Sequence, residues 1–235
     1  MTKRVVFLDW VNTLVRMEPG THVLCAEIWR AFGIEADPMR ILRGIYAAEE
    51  QVPEGRPIHW SPDASADPFI RYNNIVLREA GIVPPEHEQT LLMMKHFKER
   101  FATVKFLPSD DVRPTLMKLK EQGLSTAVIS NMNRPLAPYL ERLQWTELLD
   151  FTITSSEVNG KGKPEAPIFL EALARAGVQP SEAVHVGDES FVDGVGAIAV
   201  GITPILIDRL GLFPDFTDYR RITSLQELPE LLQSL

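Results

Sequence analysis

Short apolar runs that end in a polar residue alternate with helical patterns along this 235-residue chain. The apolar runs cover residues 4–8, 124–129, 151–154, 183–186 and 205–207. The helical patterns between the later runs cover residues 111–121, 166–176 and about 190–199. Short apolar runs rich in β-branched side chains predict buried strands. Strands that alternate with helices predict an α/β fold, a Rossmann-like parallel sheet with helices on both faces.

The stretch from residue 16 to residue 105 breaks this alternation, because it contains no convincing strand. Its helical patterns cover residues 21–32, 38–50, 66–80 and 87–101, separated by turns rich in proline and glycine. We therefore expect a Rossmann-like core domain of residues 1–15 and 106–235 and an inserted helical cap domain of residues 16–105. No repeat or flexible linker separates the two, so we expect the insert to pack over the sheet edge as a lid.

Composition excludes several classes of protein. Hydrophobic residues make up 45% and charged residues 24% of the chain, which is typical of a soluble globular protein and not of a disordered one. The net charge of −8, without a basic cluster, disfavours nucleic acid and anionic membranes as partners. The chain has no apolar stretch long enough for a membrane span. A single cysteine, Cys25, excludes an intrachain disulfide, and we expect a cytoplasmic protein.

Polar residues follow the predicted strands, at the sheet edge where open α/β sheets bind their ligands. These residues are Asp9 with Asn12 and Thr13, then Ser130 and Asn131, then Lys163, then Asp188 with Asp193 five residues on. An aspartate at a strand end can attack an electrophile, and a lysine can neutralise the charge that develops. Paired carboxylates are hard oxygen ligands that suit Mg²⁺. The order therefore predicts a site for phosphoryl chemistry.

Each of these residues also has a structural explanation when it is taken alone. Ser130 with the following asparagine is a common helix N-cap, Lys163 is a typical surface lysine, and Asp188 is a plausible helix cap. Taken singly, these explanations are stronger than the functional ones. Four such signals in this order at one sheet edge favour a functional site instead.

The residues of this site resemble the four motifs of the haloacid dehalogenase superfamily of hydrolases, and the resemblance covers essentially the whole chain. The motifs are FLDWVNTL (residues 7–14), VISN (128–131), GKPE (162–165) and HVGD (185–188) continued to Asp193. The helical insert lies where that family has a cap, between the first and second motifs. The resemblance implies an α/β core with a helical cap and a hydrolytic reaction.

The resemblance also implies roles for individual residues. Asp9 would be the nucleophile and a Mg²⁺ ligand, Asp188 the second acidic ligand, and the backbone carbonyl of Val11 the third ligand. Ser130 and Lys163 would hold the transferring phosphoryl group, and Asp193 would orient Lys163 or a metal-bound water. The substrate would contact Asn12, Thr13, Ser130, Asn131 and Lys163.

One position departs from the family pattern. Phosphatases of this family usually carry a second aspartate two residues after the nucleophile as general acid and base, and here that residue is Val11. General acid–base catalysis is worth roughly 10²–10⁴ in rate, and a valine cannot move a proton. Asn12 replaces the glycine usually found next, and asparagine is the non-glycine residue that best tolerates a positive φ.

Several functions stay open at this point. The first is a Mg²⁺-dependent phosphohydrolase of a small phosphorylated metabolite, which either has another proton donor or acts on substrates whose leaving group needs no proton, such as acyl phosphates. A phosphonoacetaldehyde hydrolase-like enzyme would need a cap lysine, and no lysine occurs between Lys3 and Lys95. A 2-haloacid dehalogenase also lacks the second aspartate, but that branch lacks the carboxylate that Asp188 supplies here. A degenerate, non-catalytic ligand-binding member is the remaining alternative, and the sequence predicts no oligomeric state.

Two histidines are candidates with competing explanations. His185 lies in a predicted buried strand, which favours a hydrogen-bonded core histidine over a catalytic one. His59, followed by Trp60, lies in a loop of the insert, and it either contacts substrate or packs within the loop.

Overall fold

The computed structural model describes residues 2–52 and 65–235, and the loop with His59 and Trp60 lies outside them. The chain divides into two compact units. The sheet unit comprises Met1–Arg16 and Leu107–Leu235, and the helical unit comprises Met17–Phe106. Among the described residues, no helix is long and apolar enough to span a membrane.

Six strands form one parallel sheet, and two more form a separate pair. In chain order the strands are β1 (Val5–Leu8), β2 (Val15–Glu18), β3 (Lys105–Pro108), β4 (Ser125–Ser130), β5 (Phe151–Thr154), β6 (Ala183–Gly187), β7 (Thr203–Ile207) and β8 (Arg220–Ile222). The large sheet has the order β5-β4-β1-β6-β7-β8, and β2 pairs with β3. Every pairing in the large sheet is parallel, which confirms the predicted α/β fold.

The helices alternate with the strands of the sheet unit and fill the helical unit. They are α1 (Thr21–Ala31), α2 (Pro38–Gln51), α3 (Asp67–Glu79), α4 (His87–Phe101), α5 (Val112–Glu121), α6 (Ala137–Leu143), α7 (Ala166–Ala176), α8 (Gly196–Ala199) and α9 (Leu228–Leu231). A π-helical turn, Ser190–Val195, leads into α8. Helix α7 ends at Gly177, whose φ of 63° continues the chain in a left-handed conformation, as its glycine predicted.

The central strands are largely apolar, which suits a sheet with both faces buried. On one face, alternate strand residues pack against α7. This cluster contains Val5, Phe7, Ala127, Ile129, Ile153 and Ala183 from the strands and Ile168, Phe169, Ala172 and Leu173 from α7. The intervening residues, such as Val6 and Leu8, are equally buried and point to the opposite face. Continuous apolar runs are typical of parallel strands covered on both faces.

The helical unit has an apolar cluster of its own. Its members come from α1 to α4 and include Leu24, Ile28, Trp29, Ile41, Val76, Leu77, Met93 and Phe97. The side chain of Asp37 caps α2 by accepting a hydrogen bond from the Met39 amide at 2.8 Å. Helices α2 and α3 cross closely at Gly44, where an added Cβ would lie 2.7 Å from the Val76 carbonyl. An alanine at this position would push the two helices apart.

The observed elements differ from the predicted ones at a few places. The expectation of no strand in residues 16–105 is wrong at the start of that stretch, which β2 occupies, while β3 begins at its last residue. Strand β2 alternates buried and exposed residues, and four residues are too few for this pattern to stand out. Strand β8 was not predicted, since two of its three residues are arginines.

The strand order places a topological switch point between β1 and β6. Within the large sheet, the strand that follows β1 in the chain is β4, its neighbour on one side. The strand that follows β6 is β7, which lies on the other side. In open α/β sheets the loops diverge at such a point and leave a crevice at the carboxyl ends of the strands. Asp9 follows β1 and Asp188 follows β6, so both residues lie at this crevice.

Candidate active site

Three aspartates meet at the switch point. One carboxylate oxygen from each of Asp9, Asp188 and Asp193 lies within 4.8 Å of the others. All three residues are buried, with at most 8% of their surface exposed. The structure thus brings together the acidic residues that the sequence placed after two different strands.

Lys163 is the buried cation of this cluster. Its Nζ donates to Asp9 Oδ1 at 2.5 Å and to Asp193 Oδ1 at 2.6 Å. Burial alone would lower the pKa of Lys163, but the charges of Asp193 and Asp9 outweigh this effect and hold the pKa above its usual value. Lys163 is therefore a charged residue of the site, and its alternative explanation as a surface lysine is wrong.

Asp193 is held from three sides. Besides Lys163, His185 Nε2 lies 2.8 Å from its Oδ1, and the Glu189 amide donates to its Oδ2 at 3.1 Å. Burial would raise the pKa of Asp193, but Lys163 and the hydrogen bond from His185 lower it below its usual value. An added Cβ on Gly187 would lie 2.1 Å from Asp193 Cγ, so only glycine leaves room for this carboxylate. Asp193 therefore stays ionised beside Lys163.

His185 is the hydrogen-bonded core histidine that its strand predicted. It is 1% exposed, and its ring meets Phe169 edge-on at 5.3 Å between centroids. Burial lowers its pKa, so the neutral ring with a proton on Nε2 suits the contact to Asp193.

Asp9 and Asp188 form a crowded carboxylate pair. Burial is the largest cause that raises the pKa of Asp9 to about 7, and it also raises the pKa of Asp188 well above 3.8. The negative charges of Glu189 and Asp9 raise the pKa of Asp188 further. Two buried carboxylates whose oxygens lie within 4.8 Å of each other need a cation in order to be ionised together. Hard oxygen donors with this charge fit a divalent cation such as Mg²⁺, which Asp9 and Asp188 could hold.

Asn131, in the second motif, holds the backbone of Lys163 in place. The Asn131 side chain donates to the Lys163 carbonyl at 2.7 Å and accepts from the Lys163 amide at 2.7 Å. Ser155 Oγ lies 3.1 Å from the carbonyls of both Asn131 and Met132. The structure thus places the Asn131 side-chain amide against the backbone of Lys163, and the contact of Asn131 with substrate stays a prediction.

Two hydroxyl groups of the predicted site are buried. Ser130, the last residue of β4, is 2% exposed, and its Oγ accepts from the Met132 amide at 3.2 Å. Thr13 is fully buried, and its Oγ1 has no hydrogen-bond partner among the described residues. The roles of both hydroxyls toward a phosphoryl group stay predictions.

Comparison with known proteins identifies the family. A family model described as haloacid dehalogenase-like hydrolase matches residues 3–201, most of the chain. The chain belongs to the haloacid dehalogenase-like hydrolases. The bovine haloacid dehalogenase-like hydrolase domain-containing protein 3 is 30% identical over 214 residues, which cover 87% of this chain and 81% of that protein.

Relatives in this family carry names of two activities. A glyceraldehyde 3-phosphate phosphatase of Methanopyrus kandleri is 35% identical over 140 residues, or 59% of each chain. The solved 2-haloacid dehalogenase of Pseudomonas syringae is 25% identical, with a TM-score of 0.58 over 100% of this chain and 99% of that one. This protein is thus a haloacid dehalogenase-like hydrolase with phosphatase-named relatives.

The haloacid dehalogenase-like turn after Asp9 keeps its backbone conformation despite its unusual residues. Asn12 has a φ of 62°, the left-handed conformation for which asparagine is suited. Its Nδ2 donates to Asp188 Oδ2 at 3.0 Å, a contact that glycine would not make. Val11 precedes it and is half-buried. The left-handed turn therefore forms with Val11 and Asn12 in place, and the loss of a general acid at Val11 stays a prediction.

Sequence reasoning missed Arg209 and Asp111. Arg209 lies just after β7 and donates to the Thr13 carbonyl at 2.7 Å, and its guanidinium pairs with Asp111. The acceptors of Arg209 are backbone carbonyls and a carboxylate that lies far from it in the chain. The only signal in the sequence is the position of Arg209 after another strand end.

Replacing Asp188 by asparagine should stabilise the metal-free protein at high pH. The folded-state pKa of Asp9 and that of Asp188 both exceed 3.8, so the folded protein binds more protons than the unfolded chain in the pH range above 4. The free energy of unfolding therefore falls as the pH rises through about 7. The variant lacks the Asp188 carboxylate, so its free energy of unfolding should fall much less as the pH rises.

Thermal unfolding in EDTA between about pH 5 and pH 8 measures this effect. The lowered pKa of His185 acts in the opposite direction, but it does so in both proteins. We expect the variant to have the higher melting temperature at the alkaline end, and Mg²⁺ to raise the melting temperature of the parent protein alone. If the melting temperatures of the two proteins changed with pH in parallel, this would contradict the interpretation of Asp9 and Asp188 as a crowded pair.

Proposed function

We propose that this protein is a Mg²⁺-dependent phosphohydrolase that acts on a small phosphorylated metabolite through an aspartyl-phosphate on Asp9. The observation that carries the proposal is the contact of Asp9 with the buried ammonium of Lys163, beside a second buried carboxylate, Asp188. The phosphatase-named relatives support the same class of substrate.

The residues divide the proposed reaction into two displacements. In the first, a carboxylate oxygen of Asp9 attacks phosphorus, and the bond to the leaving group breaks with its electron pair. In the second, water attacks the phosphorus of the aspartyl-phosphate, which releases inorganic phosphate and restores Asp9 while a proton passes to solvent. Lys163 neutralises charge on the phosphoryl oxygens in both steps. Asp193 keeps Lys163 charged and in place.

Asp9, Asp188 and the Val11 carbonyl are the proposed ligands of the metal ion. When bound, Mg²⁺ supplies positive charge next to the phosphoryl oxygens and allows both carboxylates to ionise. Asn12 holds Asp188 through its side-chain amide. We further propose that Ser130, Asn12 and Thr13 complete the phosphate site, and that the helical unit, Met17–Phe106, is the cap that selects the substrate. A cytoplasmic location is proposed on the basis of the single cysteine, Cys25.

A second candidate, 2-haloacid dehalogenase, is favoured by Val11 and by the solved dehalogenase that resembles this chain. It is disfavoured by Asp188, because a metal-free displacement of halide gains nothing from a second carboxylate beside the nucleophile. The pair of Asp9 and Asp188 therefore favours the phosphohydrolase over the dehalogenase.

An activity screen separates the two candidates. The protein is assayed with aryl phosphates, acyl phosphates, alkyl phosphates and 2-haloacids, each with Mg²⁺ and with EDTA. The proposal expects phosphate release from the aryl and acyl phosphates that EDTA abolishes. Halide release in EDTA, without phosphate release in Mg²⁺, would replace the proposal by the dehalogenase.

Replacing Lys163 by methionine should both destabilise the fold and stop turnover. Methionine leaves the carboxylates of Asp9 and Asp193 buried without their cation, and removing one partner of a buried pair costs about 3–5 kcal/mol. Urea denaturation of the metal-free protein measures the loss. Lys161→Met, at an exposed neighbouring position, is the control and should be neutral. Equal stability of the two variants would contradict the buried charge network.

A further inference from the structure

Arg209 connects the turn after Asp9 to a second loop of the sheet unit. Its guanidinium donates to the Asn12 carbonyl at 3.1 Å and, through Nη2, to the Thr13 carbonyl at 2.7 Å. The same guanidinium binds both carboxylate oxygens of Asp111, at 2.8 and 2.9 Å. Such a planar fork fixes direction as well as distance. Arg209 therefore holds two carbonyls of the turn against a carboxylate.

The groups that hold Arg209 are themselves fixed. Asp111 is 8% exposed and also accepts from Ser224 Oγ and from the Leu225 amide, both at 2.8 Å. Asp208, the residue before Arg209, is 3% exposed. Its carboxylate accepts hydrogen bonds from Arg221 and from the amides of two residues of the following loop. Arg209 thus follows a residue that is fixed by hydrogen bonds, and its own guanidinium is fixed by Asp111.

The turn that Arg209 holds also touches the acidic pair. Asn12 is bound from two sides, its carbonyl by Arg209 and its side-chain amide by Asp188 at 3.0 Å. It keeps a φ of 62°, so its peptide has little freedom to rotate without losing one of these bonds. Asp9 lies three residues before it, at the end of a buried strand. The position of this turn decides how Asp9 and Asp188 face each other.

We propose that Arg209 is a positioning residue, which fixes the turn of residues 10–13 so that the Asp9 carboxylate faces Asp188. It acts through the Asn12 and Thr13 carbonyls. The kinetic consequence rests on the proposed phosphohydrolase function, whereas the order of the turn can be measured without it. Residues that orient a metal or catalytic ligand from behind contribute about 10–100-fold.

The experiment compares Arg209→Ala and Arg209→Lys with the control Arg175→Ala. Arg175, on α7, is matched to Arg209, because its guanidinium also pairs with a carboxylate at 2.8 Å, that of Glu171, and donates to a backbone carbonyl, that of Thr152. On an aryl phosphate, Arg209→Ala should lower kcat by about 10–100-fold with little change in KM. Lysine should restore part of kcat, because an ammonium reaches a carbonyl but cannot form the fork. The control should keep the parent kcat.

Amide hydrogen exchange is the second measurement. In the parent the Asn12 amide donates to the Val15 carbonyl, and the Leu14 and Val15 amides donate to the Trp10 carbonyl. Exchange over residues 10–15 should become faster in Arg209→Ala and stay unchanged in Arg175→Ala. Arg209→Lys, with an intermediate rate, gives the same comparison if the alanine variant does not fold.

The two measurements separate the positioning role from the proposed function. Unchanged exchange in the turn of the Arg209 variants would overturn the positioning role, and so would a kcat equal to that of Arg175→Ala. If the parent protein releases phosphate from none of the phosphates tested, the phosphohydrolase proposal fails, and the exchange rates alone decide whether Arg209 holds the turn.

Discussion

Replacing Asp9 by asparagine is expected to abolish phosphate release. The amide is nearly the same size as the carboxylate, but it cannot attack phosphorus or balance the charge of Lys163 at 2.5 Å. Loss of a nucleophile lowers kcat by about 10⁴–10⁶-fold in enzymes whose catalytic groups act together. The fold should survive, because Lys163 keeps its second partner, Asp193, at 2.6 Å.

Turnover of an aryl phosphate in Mg²⁺ measures this loss. The matched control is Asp150→Asn, an exposed aspartate whose carboxylate accepts from the Thr126 amide at 3.0 Å. An asparagine can still accept that hydrogen bond, so the control should keep the parent rate. Turnover in Asp9→Asn within the range of the control would exclude covalent catalysis by Asp9.

Replacing Val11 by aspartate is expected to raise the turnover of alkyl phosphates, by up to about 10²–10⁴-fold. Alkoxide leaving groups need a proton, and Val11 cannot donate one. Aryl and acyl leaving groups are stable as anions, so the parent enzyme should cleave them far better than alkyl phosphates. The same valine cannot deprotonate water, so the aspartyl-phosphate should be long-lived in the parent and shorter-lived in the variant.

The comparison needs an aryl phosphate and an alkyl phosphate with each enzyme. Val11→Asn is the control, because it matches aspartate in size and cannot supply the proton. The turn already has the required conformation at Asn12, with a φ of 62°, so the new carboxylate has a preformed backbone. Equal rates of the parent enzyme on both substrates would show that another residue delivers the proton.

The fold was predictable wherever an element buries a continuous face. The strands from Val5 and from Ala183 and the helix that ends at Gly177 were found within a few residues, because their apolar runs and glycine stops are local signals. The elements that were missed have little local signal. Strand β8, Arg220–Ile222, gains its place from its pairing with β7 and not from its own side chains.

The site was predictable to the level of residue type and strand end. Asp9, Asp188 and Asp193 meet because parallel strands finish at one edge, which the order of motifs already implied. The bonds from the Asn131 side chain to the Lys163 backbone were not predictable, since an amide suits a substrate and a lysine backbone equally well. Arg209 was missed for a related reason, because backbone carbonyls that become acceptors only in the folded chain leave no pattern in the sequence.

The most direct test of the account is to look for a phosphoryl group on Asp9. The parent protein is mixed with an acyl phosphate in Mg²⁺, quenched in acid and digested, and the peptide that contains Asp9 is analysed by mass spectrometry. The account predicts one phosphoryl group on this peptide in the parent, longer-lived than in Val11→Asp, and none in Asp9→Asn or in EDTA. Phosphate release in Mg²⁺ without any phosphorylated peptide, or with the phosphoryl group on another residue, would contradict the account.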